Sequence, residues 1–272
     1  MAAQSRSGGH TPRWRVLPDD AERSPEVNLA REEALAACAG GAPALRLWRS
    51  DRCVVLGRAQ LAEAEADLAA CRELGIPVLR RFTGGGAVYH DPGNLNVTLV
   101  VARDDELVRS RATNGPLPGV YGLVLEPLAA AVRALGAPAV ADARAIWIRE
   151  RKVSGVAAWL GARAVLIHAT LLVDSDLDVL ERVLAGPGAP GNPRWERTRS
   201  RRVPVTSLAR EGGAPDPAAI ADAVVNAFVE QPGNVREPGR FTADELAAAA
   251  RLLTRRYTNP LWHAAGRDAE RG

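Results

Sequence analysis

The sequence predicts an α+β domain built on a mainly antiparallel sheet. Helical and strand-like segments are interspersed along the 272 residues, hairpin-like strand pairs outnumber β-α-β alternation, and neither an internal repeat nor a low-complexity linker divides the chain. Met1 to Pro12 is polar and Gly/Ser-containing and reads as a disordered tail, residues 1–12, ahead of one domain over 13–272. Trp14 to Leu17 suits a short strand. Ser24 and Pro25 supply an N-cap and a first-turn proline for a helix to about Ala39, stopped by Gly40-Gly41. Ala44 to Trp48 and Cys53 to Leu56 are β-like, and a helix is expected from Ala62 to Leu74, ending at Gly75. Ile76 to Arg81 reads as a strand entering a triple-glycine loop, and Ala87 to His90 leaves it. Asn94 to Ala102 alternates, with Leu95, Val97, Leu99 and Val101 on one face. A helix from about Gly119 to Leu135 precedes three consecutive antiparallel strands, Ala145 to Arg149, Lys152 to Leu160 and Ala164 to Val173. Gly161-Ala162 makes a tight turn between the last two. Residues 185–204 are Gly, Pro and Arg rich without periodicity and read as a mobile loop. Helices near Pro217 to Val229 and Ala243 to Thr254 follow.

Composition narrows the function. Hydrophobic residues at 47% and charged residues at 25% exclude collagen-like, mucin-like and wholly disordered chains, and only 4% aromatics leaves a core of Ala, Val and Leu. A net charge of +3 argues against nucleic acid as partner. Cys38, Cys53 and Cys71 are odd in number and contain no C-x-x-C pair, which argues against a zinc site and a disulfide framework; each reads as a small buried hydrophobe. With no apolar leader and no membrane-length segment, a cytoplasmic protein is expected. Among 35 basic residues there is one lysine, Lys152. A lone lysine in a chain that otherwise uses arginine is either an accident of composition or the mark of a position where a planar guanidinium does not serve, and its neighbours decide between the two.

Two strings carry chemistry. In Arg80-Arg81-Phe82-Thr83-Gly84-Gly85-Gly86-Ala87-Val88-Tyr89-His90-Asp91, three glycines are entropically expensive unless backbone must approach a ligand and present N–H groups to it. The arginines add positive charge, so the string suits a carboxylate or phosphate; a bare glycine run read alone fits a Gly-rich hairpin equally well. No Walker loop, dinucleotide fingerprint, H-E-x-x-H or G-x-S-x-G occurs. In Lys152-Val153-Ser154-Gly155, a strand turns Lys152 and Ser154 to one face, where the ammonium can hold an oxyanion. His168, in His168-Ala169-Thr170-Leu171-Leu172, and His90 are expected to be satisfied core histidines.

Together these strings resemble the lipoate–protein ligase A family, whose signature joins R-R-x-x-G-G-G-A-V-x-H-D-x-G-N to K-x-S-G and a later H-x-T-L-L. The likeness extends to Asn28–Leu35, Val54–Gln60, Ser200-Arg201 with Val205–Leu208, and Tyr257 with Trp262, so it spans about residues 24 to 264. It implies the class II synthetase-like biotin/lipoate-ligase fold and a two-step acyl transfer from lipoate and ATP, with Mg2+ accompanying the nucleotide. The acceptor would be a lysine on an apo lipoyl domain, of 2-oxoacid dehydrogenase E2 or glycine-cleavage H type. By position, Arg81, Gly84, Gly85, Gly86, Ala87, Val88 and Tyr89 would bind nucleotide and acyl group, Lys152 would be the catalytic cation, and Asp142 would be the acidic nucleotide-site residue. The loop over 185–204 would cover the adenylate. Full-length relatives continue with a small C-terminal domain, so the resemblance further implies a separate accessory subunit. Two rivals stand beside this: an ATP-independent octanoyl or lipoyl transferase of the same fold, which uses a cysteine nucleophile, and a non-catalytic lipoate- or adenylate-binding protein.

Overall fold

The computed structural model describes residues 13–111, 116–184, 199–212, 216–229 and 234–266. The expected tail, 1–12, lies outside them, as does most of the expected loop, 185–198. The strands are β1 (Arg13–Leu17), β2 (Ala44–Trp48), β3 (Cys53–Leu56), β4 (Val78–Arg80), β5 (Val88–His90), β6 (Asn94–Ala102), β7 (Ala139–Ala141), β8 (Ala145–Ile148), β9 (Arg151–Leu160), β10 (Ala164–Leu172) and β11 (Val235–Pro238). Eight form one sheet in the order β11-β1-β2-β6-β10-β9-β8-β7, and β4-β3-β5 form a second, smaller one. The large sheet is mixed. β1 runs parallel to both neighbours, and its other pairings are antiparallel.

β6 is buried on both faces, and the two faces differ. Leu95, Val97, Leu99 and Val101 pack with Val120, Val124 and Leu128 of a long helix, numbered below, and with Ile220 and Val224 beyond it. Asn94, Asn96 and Thr98 point the other way and are buried as well. That polar face is roofed by the first helix, α1 (Pro25–Ala37), and by the small sheet: Glu32 reaches Thr98, Trp48 and His168, and the His90 ring meets Trp48 edge-on at 5.5 Å. Burying polar groups between layers is tolerable only when they are hydrogen-bonded, so this interlayer is where the sequence departs from ordinary core packing.

Ser24 caps α1 by accepting from Val27 N, as its place before Pro25 predicts. The helix expected over 62–74 is two short ones, α2 (Ala62–Glu65) and α3 (Leu68–Glu73). Ala66 is extended and Asp67 caps the second by accepting from Ala69 and Ala70 amides, a start signal inside an apparently continuous periodicity. After α4 (Glu106–Arg109) comes the long helix α5 (Pro116–Ala134), then α6 (Leu177–Val183), α7 (Pro217–Val229), α8 (Ala243–Leu252) and α9 (Pro260–Ala265). β8 stops at Ile148, one residue short of the expected Arg149, because Arg149 adopts φ 55 in the hairpin turn to β9. β7, β11, α6 and α9 are short elements that the pattern did not reveal. Cys53 and Cys71 are buried as expected, but Cys38 is exposed, because it is the residue at which α1 ends. No helix among the described residues is long and apolar enough to cross a membrane.

Candidate functional site

The glycine loop joins β4 to β5 and is built around a buried cation. Arg81 donates through Nε to Thr83 Oγ1 (2.9 Å), through Nη2 to the carbonyls of Gly84 (2.6 Å) and Gly86 (2.7 Å), and through Nη1 to Val55 O (3.2 Å). With Gly84 and Gly86 carbonyls turned in, the amides of Gly84, Gly85 and Gly86 donate to nothing among the described residues. Gly84 and Gly85 are exposed. Gly85 has φ +87, and a Cβ there would lie 2.9 Å from Arg81 Nη2 and 3.0 Å from Ala157 Cβ. The loop therefore needs glycine and forms a nest of amides suited to an anion.

Both arginines, read from sequence as charge beside the donors, are buried. Arg80 donates to the carbonyls of Gly57, Arg58 and Gln60 on one side and of Trp262, His263 and Ala264 in α9 on the other. Burial lowers the Arg81 pKa to about 10, with the Glu32 carboxylate opposing that fall, so it still carries positive charge near neutrality. In this geometry the pair shapes the loop rather than lining its mouth.

Lys152 stands across from the loop at the start of β9. Its backbone is held by the following segment, Lys152 N donating to Pro204 O (2.9 Å) and Thr206 N to Lys152 O (3.0 Å). Its side chain lies over Gly155: a Cβ at Gly155 would sit 2.7 Å from Nζ and 2.9 Å from Cε. The K-x-S-G spacing thus has a steric meaning, the glycine making room for the ammonium. Burial pulls the Lys152 pKa down and the Asp142 carboxylate opposes it. Asp142 accepts from the amides of Arg144 and Ala145 (2.7 Å each) and from Trp147 Nε1 (2.8 Å), bonds that outweigh burial and keep its pKa below the usual value. It shapes the turn before β8 and acts on Lys152 through its field, outside the cavity lining.

Between loop and lysine lies a cavity of about 540 Å³. Ala87, Val88 and Tyr89 form one wall and Lys152, Ser154 and Gly155 another. Thr170 and Leu172 of β10, Leu180, Glu181 and Leu184 in and after α6, Glu65 of α2 and the segment from Ser200 to Val205 complete it. The Ser154 and Tyr89 hydroxyls are buried without a partner in the described structure, as expected of groups awaiting a ligand or water. Ser200 ties the cavity's edge together. Its Oγ accepts from Ala87 N (2.8 Å) and Gln60 Nε2 (3.1 Å), while its own N–H donates to the buried Glu65 carboxylate (3.1 and 3.2 Å). Arg201 and Arg202 continue along the rim.

The structure therefore brings Ala87, Val88, Tyr89 and Lys152 to one cavity, puts Gly84, Gly85 and Gly86 in the loop leading into it, Arg81 beneath that loop and Asp142 outside. His90 is a buried core ring, its pKa lowered by burial to about 3. His168 is satisfied by Glu32 and Thr83. Sequence reading did not single out Ser154's partnerless hydroxyl, Glu65, Thr83 or Glu32. Only Glu32 left a trace, as an acidic residue on the buried side of a helix. The cavity offers an ammonium and an aliphatic wall of Ala87, Val88, Leu172, Leu180, Leu184 and Val205, with the carboxylates of Glu65 and Glu181 and the guanidinium groups of Arg201 and Arg202 also on its lining, and the loop beside it offers amide donors. The site can hold two anionic groups close together with an apolar chain beside them.

The lipoyl protein ligase A/B catalytic domain family matches residues 24–229. The chain is 30% identical over 262 residues to the lipoate-protein ligase A subunit 1 of Thermoplasma acidophilum, covering 92% of this chain and 95% of that one. It is 28% identical over 279 residues to the octanoyltransferase LipM of Symbiobacterium thermophilum, covering 92% and 97%. Among solved structures, a bi-partite lipoate protein ligase studied with its E2 lipoyl domain, from T. acidophilum, superposes with a TM-score of 0.79 at 29% identity, covering 97% of this chain and 100% of that one. A lipoate-protein ligase A bound with ATP gives 0.74 at 28% identity, covering 94% and 99%.

Proposed function

Because this chain belongs to the lipoyl protein ligase A/B catalytic domain family, we propose that it ligates lipoate to a lysine of an acceptor domain by way of lipoyl-adenylate. The lipoate carboxylate attacks the α-phosphorus of ATP, the bond to the β-phosphate oxygen breaks, and pyrophosphate leaves. The acceptor amine then attacks the acyl carbonyl, loses its proton and releases AMP. One observation carries this reading: the chain's only lysine lays its ammonium over Gly155, in the cavity that Ala87, at the end of the glycine loop, lines. A compact cation there holds the carboxylate and an α-phosphate oxygen together and offsets the charge that builds as they react, a contribution of about 3 kcal/mol for one well-placed donor.

The amides of Gly84, Gly85 and Gly86 take phosphate oxygens, and Ala87, Val88 and Tyr89 border the acyl chain. Arg81 acts from beneath the loop and Asp142 through Lys152. Among the described residues no three acidic, histidine or cysteine side chains gather to hold a metal, and the carboxylates of Asp142 and Glu65 already accept hydrogen bonds from this chain. In this scheme Mg2+ accompanies the nucleotide's phosphates. Residues 13–272 act as one catalytic unit in the cytoplasm. The acceptor is a lipoyl domain of E2 or glycine-cleavage H type, and a second subunit assists activation. The relatives named as a ligase subunit 1 and as a bi-partite ligase support that last element.

The octanoyltransferase relative favours a second reading, ATP-independent acyl transfer. Against a cysteine-borne version of it, Cys38, Cys53 and Cys71 all lie outside the cavity lining and burial raises the pKa of each. Intact mass of an apo lipoyl domain after incubation with the protein, lipoate and Mg-ATP decides between them. A gain that requires ATP supports ligation. A gain from an octanoyl carrier protein without ATP refutes it in favour of the transferase. Lipoate or adenylate binding without a gain, even with the cognate second subunit, refutes it in favour of a binding protein.

A further inference from the structure

A line of polar side chains crosses the layer beneath the glycine loop. Glu32, on α1, receives hydrogen bonds from Thr98 Oγ1 and Trp48 Nε1, and its other oxygen meets His168 Nδ1 at 2.9 Å. Since a carboxylate only accepts, Nδ1 is the donor. His168 Nε2 lies 2.9 Å from Thr83 Oγ1, and Arg81 Nε donates to that same oxygen at 2.9 Å. The order carboxylate, imidazole, hydroxyl is that of a nucleophilic triad. Thr83, however, has 0% of its surface exposed and shares its oxygen with a guanidinium, so no acyl group reaches it.

We infer that Glu32, His168 and Thr83 are positioning residues, which fix the Arg81 guanidinium and through it the Gly84 and Gly86 carbonyls, holding the loop's amides in their donor arrangement. Three consecutive glycines have wide conformational freedom, and their arrangement must be imposed from outside the loop. Arg81 imposes it at two carbonyls. Arg81 is itself aimed by a hydroxyl whose position is set from β10 and α1, elements outside the loop. The inference deepens the ligase reading and depends on it only for its kinetic arm.

The test uses Thr83→Val, which removes the hydroxyl at nearly constant volume, Thr83→Ser, which keeps it, and His168→Asn, which retains a group near Nδ1 and withdraws the one facing Thr83. Two protected amides bracket the loop: Arg58 N donates to Thr83 O at 2.8 Å and Ala87 N to Ser200 Oγ at 2.8 Å. Hydrogen exchange at these amides should accelerate about tenfold in T83V and H168N, the scale of one lost hydrogen bond. T83S should restore exchange toward the wild-type rate, and the T83V/H168N double variant should exchange no faster than either single one, because both break the same chain. In the mass-gain assay, kcat/KM for ATP should fall about tenfold in T83V, mainly through KM. Wild-type exchange in T83V, failure of T83S to restore it, additive effects in the double variant, or faster exchange spread evenly through α5 and β10 would each overturn the assignment. The exchange arm stands even if the protein shows no ATP-dependent acylation, so failure of the ligase reading and failure of this one are separable.

Discussion

Replacing Gly155 with alanine moves the lysine ammonium while leaving the lysine in place. The new Cβ would lie 2.7 Å from Nζ and 2.9 Å from Cε of Lys152, so the side chain must swing away by about 1 Å to reach ordinary contact. The obstructed atoms are the far end of a flexible chain, and Gly155 sits within β9, where alanine's narrower unfolded ensemble is worth about 0.4–1 kcal/mol in its favour. Stability should therefore hold steady or rise slightly. The reaction should not: a 1 Å misplacement of an electrostatic catalyst costs about a hundredfold in rate, or about 2.7 kcal/mol of barrier. The paired assays are a thermal melt and the initial rate of mass gain on an apo lipoyl domain at saturating lipoate and Mg-ATP. A G155A protein with an unchanged melt and a wild-type rate would refute the assignment of Lys152 as the catalytic cation.

Lys152→Arg should lose about 10²- to 10³-fold in the same assay, since a planar guanidinium does not reproduce a point charge above Gly155; a loss under threefold would count against the reading. Ser200→Ala removes the hydroxyl that accepts from Ala87 N and should raise the apparent KM for ATP several-fold, about 1 kcal/mol, with kcat nearly unchanged in a steady-state titration. Glu32 has its pKa lowered to about 2, because His168 and Thr98 together outweigh the burial that pushes it up. Its contribution to stability, about 3 kcal/mol, is present above the unfolded carboxylate's pKa and is lost as pH falls from about 5 toward 2. Urea melts should show that slope in the wild type and a flatter one in Glu32→Gln; parallel slopes would remove Glu32 from the account. A C38S/C71S variant should acylate at the wild-type rate by intact mass, and loss of activity would revive the thiol mechanism.

The elements that sequence revealed are those whose pattern is local. β6 announces itself because one face alternates cleanly and packs on α5, and α7 matches its expected bounds because an apolar helix against the core leaves a full period. β7 and β11 are edge strands of three and four residues, too short for a period to register. α2 and α3 were merged because Ala and Leu continue across the break, while the break itself depends on the Asp67 side chain. The two strings of the candidate site were legible since glycine runs and a solitary lysine are compositional facts. What the arginines do was not. Charge in a sequence says nothing about whether a guanidinium faces solvent or a ring of carbonyls, and Arg80 and Arg81 took the second course because β4 buries the strand end that carries them. Glu65 and Ser200, 135 positions apart, meet only through tertiary structure.

Arg80 also sets a timetable for assembly. Its guanidinium joins the carbonyls of Gly57, Arg58 and Gln60 to those of Trp262, His263 and Ala264, and Trp262 Nε1 returns a bond to Arg80 O at 2.8 Å. While residues 57–90 have emerged from a ribosome and α9 has not been made, half of the acceptors for that buried charge do not exist, and the strand leading into the glycine loop is held by β3 alone. Contacts this distant in sequence form late in folding. A nascent chain accordingly completes the acceptor ring around Arg80 only once the last helix docks. On the ligase reading proposed above, a truncated product ending before Pro260 should bind nucleotide more weakly than the whole chain, because Arg80 lacks half of its acceptors.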